Sequence, residues 1–247
     1  MAPGGAVIES ARALAVAAVR RYHRLEVELP AEVPGGPVLF VAHHGFGSLF
    51  DLNVLATLAA LDDLALDRPV TTLVHQVAWT VGLGPALERL GCRPASRTAA
   101  REALADGRHV LVFPGGDVDA FKSRRDKDRI VFGGRVGFAR MAIEQAVPVV
   151  PVVTAGAGDT LLVLSDGQAI AQRLRLDRLL RLKALPVSVT FPWGLNLGVA
   201  GFLPYLPVPV TLRTRVLPDL TAQPDEAAAA FAARIEQTMQ AALDELT

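Results

Sequence analysis

The sequence predicts an α/β fold with a mostly parallel central sheet flanked by helices. Strand patterns and helix patterns alternate along the 247 residues, which is the order of elements in layered α/β proteins. Three runs, at residues 38–42, 109–113 and 147–153, are almost continuously apolar. Such runs are typical of strands that are buried on both faces, as the strands of a parallel sheet are.

The N-terminal segment, residues 1–30, predicts a helix followed by a strand. An alanine-rich helix is expected over residues 10–24, and alternating apolar positions indicate a half-exposed strand at residues 25–29. The last turn of this helix carries Arg20 and Arg21, which would complement the helix dipole. The same composition suits a helix that lies in a membrane interface, so both interpretations are open.

The remaining elements continue the alternation to the C-terminus. The predicted strands are 38–42, 70–74, 109–113, 147–153, 161–164 and 208–216, and the predicted helices are 51–61, 82–90, 98–105, 134–145, 168–183 and 225–246. No internal repeat or low-complexity linker interrupts this order, so we expect one domain over residues 1–247.

The composition restricts the possible partners and the location of the protein. Basic and acidic residues number 25 each, so the formal net charge is zero and a nucleic-acid partner is not expected. Hydrophobic residues make up 51% of the chain, yet no apolar run reaches the roughly 20 residues that cross a bilayer. The N-terminus lacks signal-peptide features, and the lone Cys92 suits a reducing compartment. We therefore expect a peripheral protein at the cytoplasmic face of a membrane.

The first cluster of polar residues and glycines follows the strand at residues 38–42. It contains His43, His44, Gly45, Gly47 and Asp51. Ligand sites in open α/β sheets form beyond the carboxyl ends of strands, and a histidine there can act as a general base. A carboxylate that orients the imidazole completes such an arrangement. Asp51 is placed to do this, although an N-cap of the next helix is an equally ordinary role for it.

The second cluster follows the strand at residues 109–113. It begins Pro114-Gly115-Gly116 and continues with the acidic residues Asp117 and Asp119. Two successive glycines can present backbone N–H groups to an anion or to a developing oxyanion. The same residues are also common in simple turns, so the cluster alone does not decide between these interpretations.

Together the two clusters resemble motifs of the glycerolipid and lysophospholipid acyltransferase superfamily. The histidine-to-aspartate loop is followed by Phe113-Pro114-Gly115-Gly116, then by a Gly-Phe-Ala-Arg-Met-Ala segment at residues 137–142 and a proline-punctuated strand at residues 147–152. Pro-Gly-Gly is nearest to the diacylglycerol acyltransferase-like branch, since phosphatidate-forming members carry Pro-Glu-Gly. The resemblance covers residues 36–218.

The resemblance implies a glycerol-3-phosphate acyltransferase-like fold and a single acyltransferase domain with its catalytic core at residues 36–218. It implies that His44 is the catalytic histidine and that Asp51 is the motif aspartate. The substrates would be acyl-CoA as co-substrate and a lipid acceptor, with no bound cofactor and no metal. The loop that faces the acceptor or the oxyanion would comprise Gly45, Gly47, Pro114, Gly115, Gly116 and Asp119, the last standing where this branch usually has glutamate.

Two departures from the family pattern matter. The commonest family form has four residues between the histidine and the aspartate, whereas six separate His44 from Asp51. This longer loop leaves His43 as an alternative base, although we favour His44. The glutamate and arginine of the phosphate-binding motif are replaced by Gly115 and Val118. Without the arginine clamp, a neutral acceptor such as diacylglycerol fits better than a phosphate-bearing one.

Four cations are candidate contacts for coenzyme A phosphates or lipid headgroups. They are Lys122, Arg124, Arg135 and Arg140. Because acidic residues are interleaved with the basic ones between residues 122 and 129, an ordinary solvated loop of mixed charge is the competing interpretation.

Two alternative functions remain open on the sequence. Ser48 follows Gly45-Phe46-Gly47 and suggests a serine-type lipid esterase, but the segment is not the Gly-x-Ser-x-Gly of a nucleophile elbow. A non-catalytic lipid-binding protein on the same fold is the second alternative. We expect no metal, because the spacing of the histidines matches no known ligand set.

Overall fold

The central element of the fold is a seven-stranded sheet. The computed structural model describes residues 3–45, 51–120, 122, 124–160, 162–165, 187–190, 194–197 and 207–247. The strands of the central sheet are β1 (Glu26–Glu28), β2 (Leu39–Ala42), β3 (Val70–Val74), β4 (Cys92–Pro94), β5 (His109–Val112), β6 (Val149–Ala155) and β10 (Arg213–Val216). A second sheet of three antiparallel strands contains β7 (Leu162–Ser165), β8 (Val187–Thr190) and β9 (Gly194–Leu197).

Helices follow most strands of the central sheet. They are α1 (Pro3–Tyr22), α2 (Leu52–Asp63), α3 (Val77–Thr80), α4 (Gly84–Arg89), α5 (Arg97–Ala105), α6 (Gly116–Ala120), α7 (Gly137–Gln145) and α8 (Ala228–Leu246). The strand order is β1-β10-β6-β2-β5-β3-β4, and each neighbouring pair is parallel except β10 and β6. The mostly parallel α/β sheet predicted from the sequence is confirmed.

The side chains of β2 alternate between two hydrophobic layers. Leu39 and Val41 pack in the layer that contains α5, α7 and α8, while Phe40 and Ala42 pack in the layer that contains α2. Both faces of β2 are therefore buried, which explains its continuous apolar run. β5 and β6 flank β2 on either side, so the residues that follow β2 leave a strand that is fixed on all sides.

Several elements differ from their predicted extent. The predicted strand at 208–216 is reduced to β10, because Pro207 and Pro209 have no N–H to donate to a ladder. The predicted helix at 134–145 begins only at Gly137, because Gly133 and Gly134 adopt φ angles of +61° and +71° in a turn. The sequence analysis did not anticipate β4, α3, α6, β8 or β9. In the second sheet β8 pairs with both β7 and β9. The predicted helix at 168–183 lies outside the described residues.

The first helix packs on the second and leaves apolar side chains in solvent. Arg12 and Arg20 of α1 form ion pairs of 2.6 and 2.8 Å with the aspartates that end α2. Val7 and Leu14 remain largely exposed. Of the helices in the described part of the chain, none is both long and apolar enough to cross a membrane.

Replacing Leu243 by alanine tests the packing of α8 on the sheet. Leu243 is buried in the layer that β2 shares with α8, so Leu243→Ala should lower the free energy of unfolding by roughly 2–5 kcal/mol. Leu14→Ala is the matched control, because Leu14 is also helical but 71% exposed, and it should change the stability little. Urea unfolding curves of both variants measure the difference; equal losses would contradict the described packing.

Candidate active site

The two sequence clusters meet at the carboxyl edge of β2 and β5. These strands are parallel neighbours, so the residues after each strand emerge on the same side of the sheet. The ring of His44, after β2, stacks obliquely on the ring of Phe113, after β5, with centroids 4.8 Å apart. The structure therefore brings together two segments that lie far apart in the chain.

Asp51 contacts His44 and caps α2 at the same time. The Nδ1 atom of His44 lies 2.5 Å from Oδ2 of Asp51, while Oδ1 accepts a hydrogen bond of 2.9 Å from the backbone N–H of Asn53. Asp51 can therefore orient His44 and cap α2 together, because a different carboxylate oxygen makes each contact. The cap fixes the carboxylate at the start of a rigid helix.

This contact determines which nitrogen of His44 can react. A carboxylate accepts hydrogen bonds only, so Nδ1 carries the proton in the neutral ring and Nε2 presents its lone pair. The Nε2 atom has no hydrogen-bond partner among the residues that the structure describes, and the side chain of His44 is 20% exposed. Asp51 is buried. The arrangement is that of a general base with its orienting carboxylate.

The electrostatic surroundings raise the pKa of His44. Burial alone would lower this pKa, but the hydrogen bond and negative charge of Asp51, together with the charge of Asp119, outweigh it. The positive charge of Lys122 opposes the increase. The imidazolium that forms when Nε2 accepts a proton is thus stabilised by two carboxylates.

His43 has both ring nitrogens engaged with the backbone. Its Nε2 accepts the N–H of Thr154 in β6 at 3.0 Å, so the proton is on Nδ1, which donates to the carbonyl of His44 at 3.3 Å. Burial is the largest cause that holds the pKa of His43 well below its ordinary value. No nitrogen of His43 is therefore left to accept a proton, and the geometry favours His44 over His43 as the base.

Asn53 supports the same turn and was not singled out by the sequence analysis. Its Nδ2 donates to the carbonyl of His43 at 3.2 Å. A Cβ atom at Gly45 would lie only 2.6 Å from Oδ1 of Asn53 and 2.7 Å from Cβ of Ala157, so a glycine is required there. The Asp-x-Asn pattern at the start of α2 could have pointed to Asn53, but the same pattern is typical of an ordinary helix cap.

The Pro-Gly-Gly loop is braced by Arg135. The guanidinium donates to the carbonyl of Pro114 at 3.0 Å, to the carbonyl of Gly115 and to the carboxylate of Asp117 at 2.6 Å. Gly116 has a φ of +49°, and a Cβ there would lie 2.5 Å from Nη1 of Arg135. These hydrogen bonds go to the loop itself, and the predicted contact of Arg135 with coenzyme A phosphates or lipid headgroups stays a prediction.

The loop also offers fewer backbone donors than its two glycines suggest. The N–H of Gly116 donates to the carbonyl of Phe113 at 3.3 Å, so it does not face a ligand. Within the described residues, the N–H groups of Gly45 and Gly115 have no hydrogen-bond acceptor. These two groups remain as candidate donors to an oxyanion.

Asp119 and Lys122 form a buried pair beneath the loop. Asp119 is fully buried and accepts hydrogen bonds from the backbone N–H of His44 at 2.6 Å and from Lys122 at 3.0 Å. Lys122 also donates to the carbonyl of Arg129 at 2.6 Å. The ammonium group of Lys122 is buried and paired inside the protein, and its predicted contact with coenzyme A phosphates or headgroups stays a prediction.

The remaining predicted site residues are only partly covered by the structure. Arg140 of α7 is exposed to solvent. Arg124 begins a short 3₁₀ turn, but its side chain is not among those described. Gly47 and Ser48 lie outside the described residues, so the serine-hydrolase interpretation has no geometry to weigh.

The chain matches a family of known proteins over its first part. A sequence model of the family described as Acyltransferase matches residues 24–155. The chain belongs to the Acyltransferase family. The match ends at the last residue of β6, so it covers both clusters and all five strands from β2 to β6.

Curated relatives of this family member are longer than the chain itself. An enzyme of Gallus gallus named "DGAT1/2-independent enzyme synthesizing storage lipids" is 28% identical over 190 residues, 76% of this chain and 54% of that protein. An uncharacterized protein of Mycobacterium tuberculosis is 28% identical over 187 residues, 75% of this chain and 49% of that protein. Phytyl ester synthase 1, chloroplastic, of Arabidopsis thaliana is 27% identical over 135 residues, 53% of this chain and 19% of that protein. The chain spans about half the length of the first two.

A solved acyltransferase shares the fold. The crystal structure of the 1-acyl-sn-glycerophosphate (LPA) acyltransferase PlsC from Thermotoga maritima superposes with a TM-score of 0.53, over 97% of this chain and 83% of that one. The sequence identity is 14%, so this similarity concerns the fold alone. With the family match it confirms the resemblance to the glycerolipid acyltransferase superfamily and its α/β fold.

The pKa of His44 should depend directly on Asp51. In Asp51→Asn the negative charge is lost while burial remains, so the pKa of His44 should fall. Titration of labelled histidine side chains by NMR measures it, with His44→Ala assigning the resonance. Asp67→Asn is the matched control, because Asp67 lies 3.7 Å from His109 instead and should leave His44 unchanged. An unaltered His44 titration in Asp51→Asn would contradict the described contact.

Proposed function

We propose that this chain transfers a fatty acyl group from an acyl-CoA thioester to a hydroxyl group of a neutral lipid. His44 is the general base and Asp51 orients it. The observation that carries the proposal is the 2.5 Å contact between His44 and Asp51, which leaves Nε2 open at the carboxyl edge of the sheet. Membership of the Acyltransferase family supports the same reaction class.

The proposed reaction is a direct transfer between the two substrates. Nε2 of His44 accepts the hydroxyl proton while the acceptor oxygen bonds to the thioester carbonyl carbon. The N–H groups of Gly45 and Gly115 stabilise the resulting oxyanion. When the carbon–sulfur bond breaks, the imidazolium returns its proton to the thiolate, so an ester and free coenzyme A leave. Asp51 stabilises the imidazolium between these two steps.

A neutral acceptor is favoured by the charges around the Pro-Gly-Gly loop. Val118 provides no cation, and the guanidinium of Arg135 is engaged with Pro114, Gly115 and Asp117. A phosphate group would therefore lack the bidentate arginine that usually binds it. The names of the Gallus gallus and Arabidopsis thaliana relatives, which refer to storage lipids and phytyl esters, are compatible with such an acceptor.

Replacing His44 tests the proposed chemistry. General-base catalysis contributes about 10²- to 10⁴-fold, so His44→Ala should lose acyl transfer by that factor while it stays folded. His75→Ala is the matched control, because His75 is exposed and its ring accepts a hydrogen bond from the nearby backbone N–H of Val77. Labelled acyl-CoA with diacylglycerol or with lysophosphatidate, followed by analysis of the products, measures the activity and the choice of acceptor.

Three observations would contradict the proposal. Undiminished acyl transfer by folded His44→Ala would exclude His44 as the general base. Trapping of Ser48 by a fluorophosphonate, with ester hydrolysis, would favour the esterase. Tight lipid binding by the wild-type chain without turnover of any acyl donor would favour a non-catalytic lipid-binding protein.

We also propose peripheral contact with the cytoplasmic face of a membrane through α1. The exposed Val7 and Leu14 lie on a helix whose paired cations, Arg12 and Arg20, hold it on α2. A fixed helix with apolar side chains in solvent is suited to lie in the interface. The lipid substrate would then reach the site from the bilayer.

Flotation with vesicles of phosphatidylcholine and phosphatidylserine tests this contact. Burying a leucine or valine side chain contributes about 1.5–3 kcal/mol, so Val7→Gln with Leu14→Gln should reduce bound protein more than tenfold. Val208→Gln is the control, because Val208 is also exposed but lies outside α1. Equal flotation of all three proteins would count against α1 as the membrane contact.

A further inference from the structure

The loop after β5 reaches across to the backbone of the proposed base. Oδ2 of Asp119 accepts the N–H of His44 at 2.6 Å. Its other oxygen, Oδ1, accepts Lys122 at 3.0 Å and the N–H of Val131 at 3.2 Å. The Asp119 side chain is 0% exposed and that of Lys122 is 4% exposed. A buried carboxylate with three donors is firmly held in place.

The Asp119 carboxylate restrains the backbone of His44, which Asp51 does not contact. Asp51 restrains one ring nitrogen of His44, but the position of Nε2 also depends on where the backbone of His44 lies. Asp119 fixes that backbone by tying the residue after β2 to the residues after β5. The His43 ring and the Asn53 amide hold the carbonyl side of the same turn. Among the described residues, the acceptor of the main-chain N–H of His44 is Asp119, which belongs to α6.

Lys122 explains how a buried carboxylate is tolerated there. An isolated buried charge is costly, and a partner with additional hydrogen bonds offsets the cost. Lys122 supplies the opposite charge and also donates a hydrogen bond to the carbonyl of Arg129 at 2.6 Å. Val131 in turn donates to Asp119. The pair thereby anchors residues 129–131 beneath the site.

We propose that Asp119 and Lys122 are a positioning pair, which sets the location of His44 through its backbone N–H rather than by touching either substrate. Asp119 is the group that acts on His44, and Lys122 holds Asp119 in place. The effect on turnover rests on the proposed function. The effect on His44 itself does not, because it follows from the contacts alone.

NMR of the folded protein tests the pair without any substrate. Asp119→Asn removes the charge and leaves one oxygen for three donors, so the amide proton of His44 should shift upfield and exchange faster. The charged and titratable groups that face His44 in the described residues are Asp51, Asp119, Lys122 and His43. Loss of the negative charge should lower the pKa of His44, and loss of the positive charge in Lys122→Met should raise it.

Shifts of opposite sign separate positioning from a merely structural role. A structural role predicts lower melting temperatures for both variants, with no opposite movement of the His44 titration. If Asp119→Asn does not fold, Lys122→Met and the double variant Asp119→Asn with Lys122→Met provide the comparison, because the double variant leaves no unpaired charge. Glu226→Gln is the control, since it breaks the ion pair with Arg234 and contacts none of these residues.

Kinetics of acyl transfer provide the second readout. A misplaced catalytic group costs about 10²-fold in rate, so kcat of Asp119→Asn should fall by about that factor with little change in the KM for acyl-CoA. The acid limb of the kcat/KM profile should move to lower pH in Asp119→Asn and to higher pH in Lys122→Met, because the base must be neutral.

The two proposals can fail independently. An unchanged His44 amide and unchanged His44 titration in the folded variants would overturn the positioning role, even if the wild-type protein transfers acyl groups. The expected NMR changes in a protein that transfers no acyl group to any acceptor would support the positioning role and overturn the proposed function.

Discussion

The hydrogen bond between His44 and Asp51 is the interaction on which the arrangement of the site depends. It joins the residue beyond β2 to the first turn of α2, so one contact fixes both the imidazole and the entry of the helix. A carboxylate that accepts from Nδ1 leaves only Nε2 as the basic nitrogen. Because the same carboxylate caps α2 through its other oxygen, its position is set by the helix and not by the imidazole.

The two adjacent histidines have different surroundings because of the point at which β2 ends. His43 lies where β6 still runs alongside β2, so its ring receives the N–H of Thr154 and becomes part of the sheet edge. His44 is one residue further, beyond the sheet, where its ring stacks on Phe113 and faces outward. Successive side chains of an extended chain point in opposite directions, and this alternation gives two identical residues opposite environments.

The charged residues around the glycine loop act mainly on the protein itself. Arg135 braces the loop carbonyls, and Lys122 neutralises Asp119 below them. This internal pairing stiffens the support of His44.

The fold class, the order of most strands and helices and the two clusters that meet at the sheet edge could be predicted from the amino-acid sequence. This was possible because apolar periodicity is a local property and parallel strands place their carboxyl ends together. The different contacts of His43 and His44, the internal hydrogen bonds of Lys122 and Arg135 and the position of Asp119 at the N–H of His44 emerge only in the tertiary structure. The hydrogen bonds from Thr154 to His43, from Arg135 to Asp117 and Pro114 and from the N–H of His44 to Asp119 join residues 18 to 111 positions apart, and no local pattern specifies which partner a polar side chain will meet.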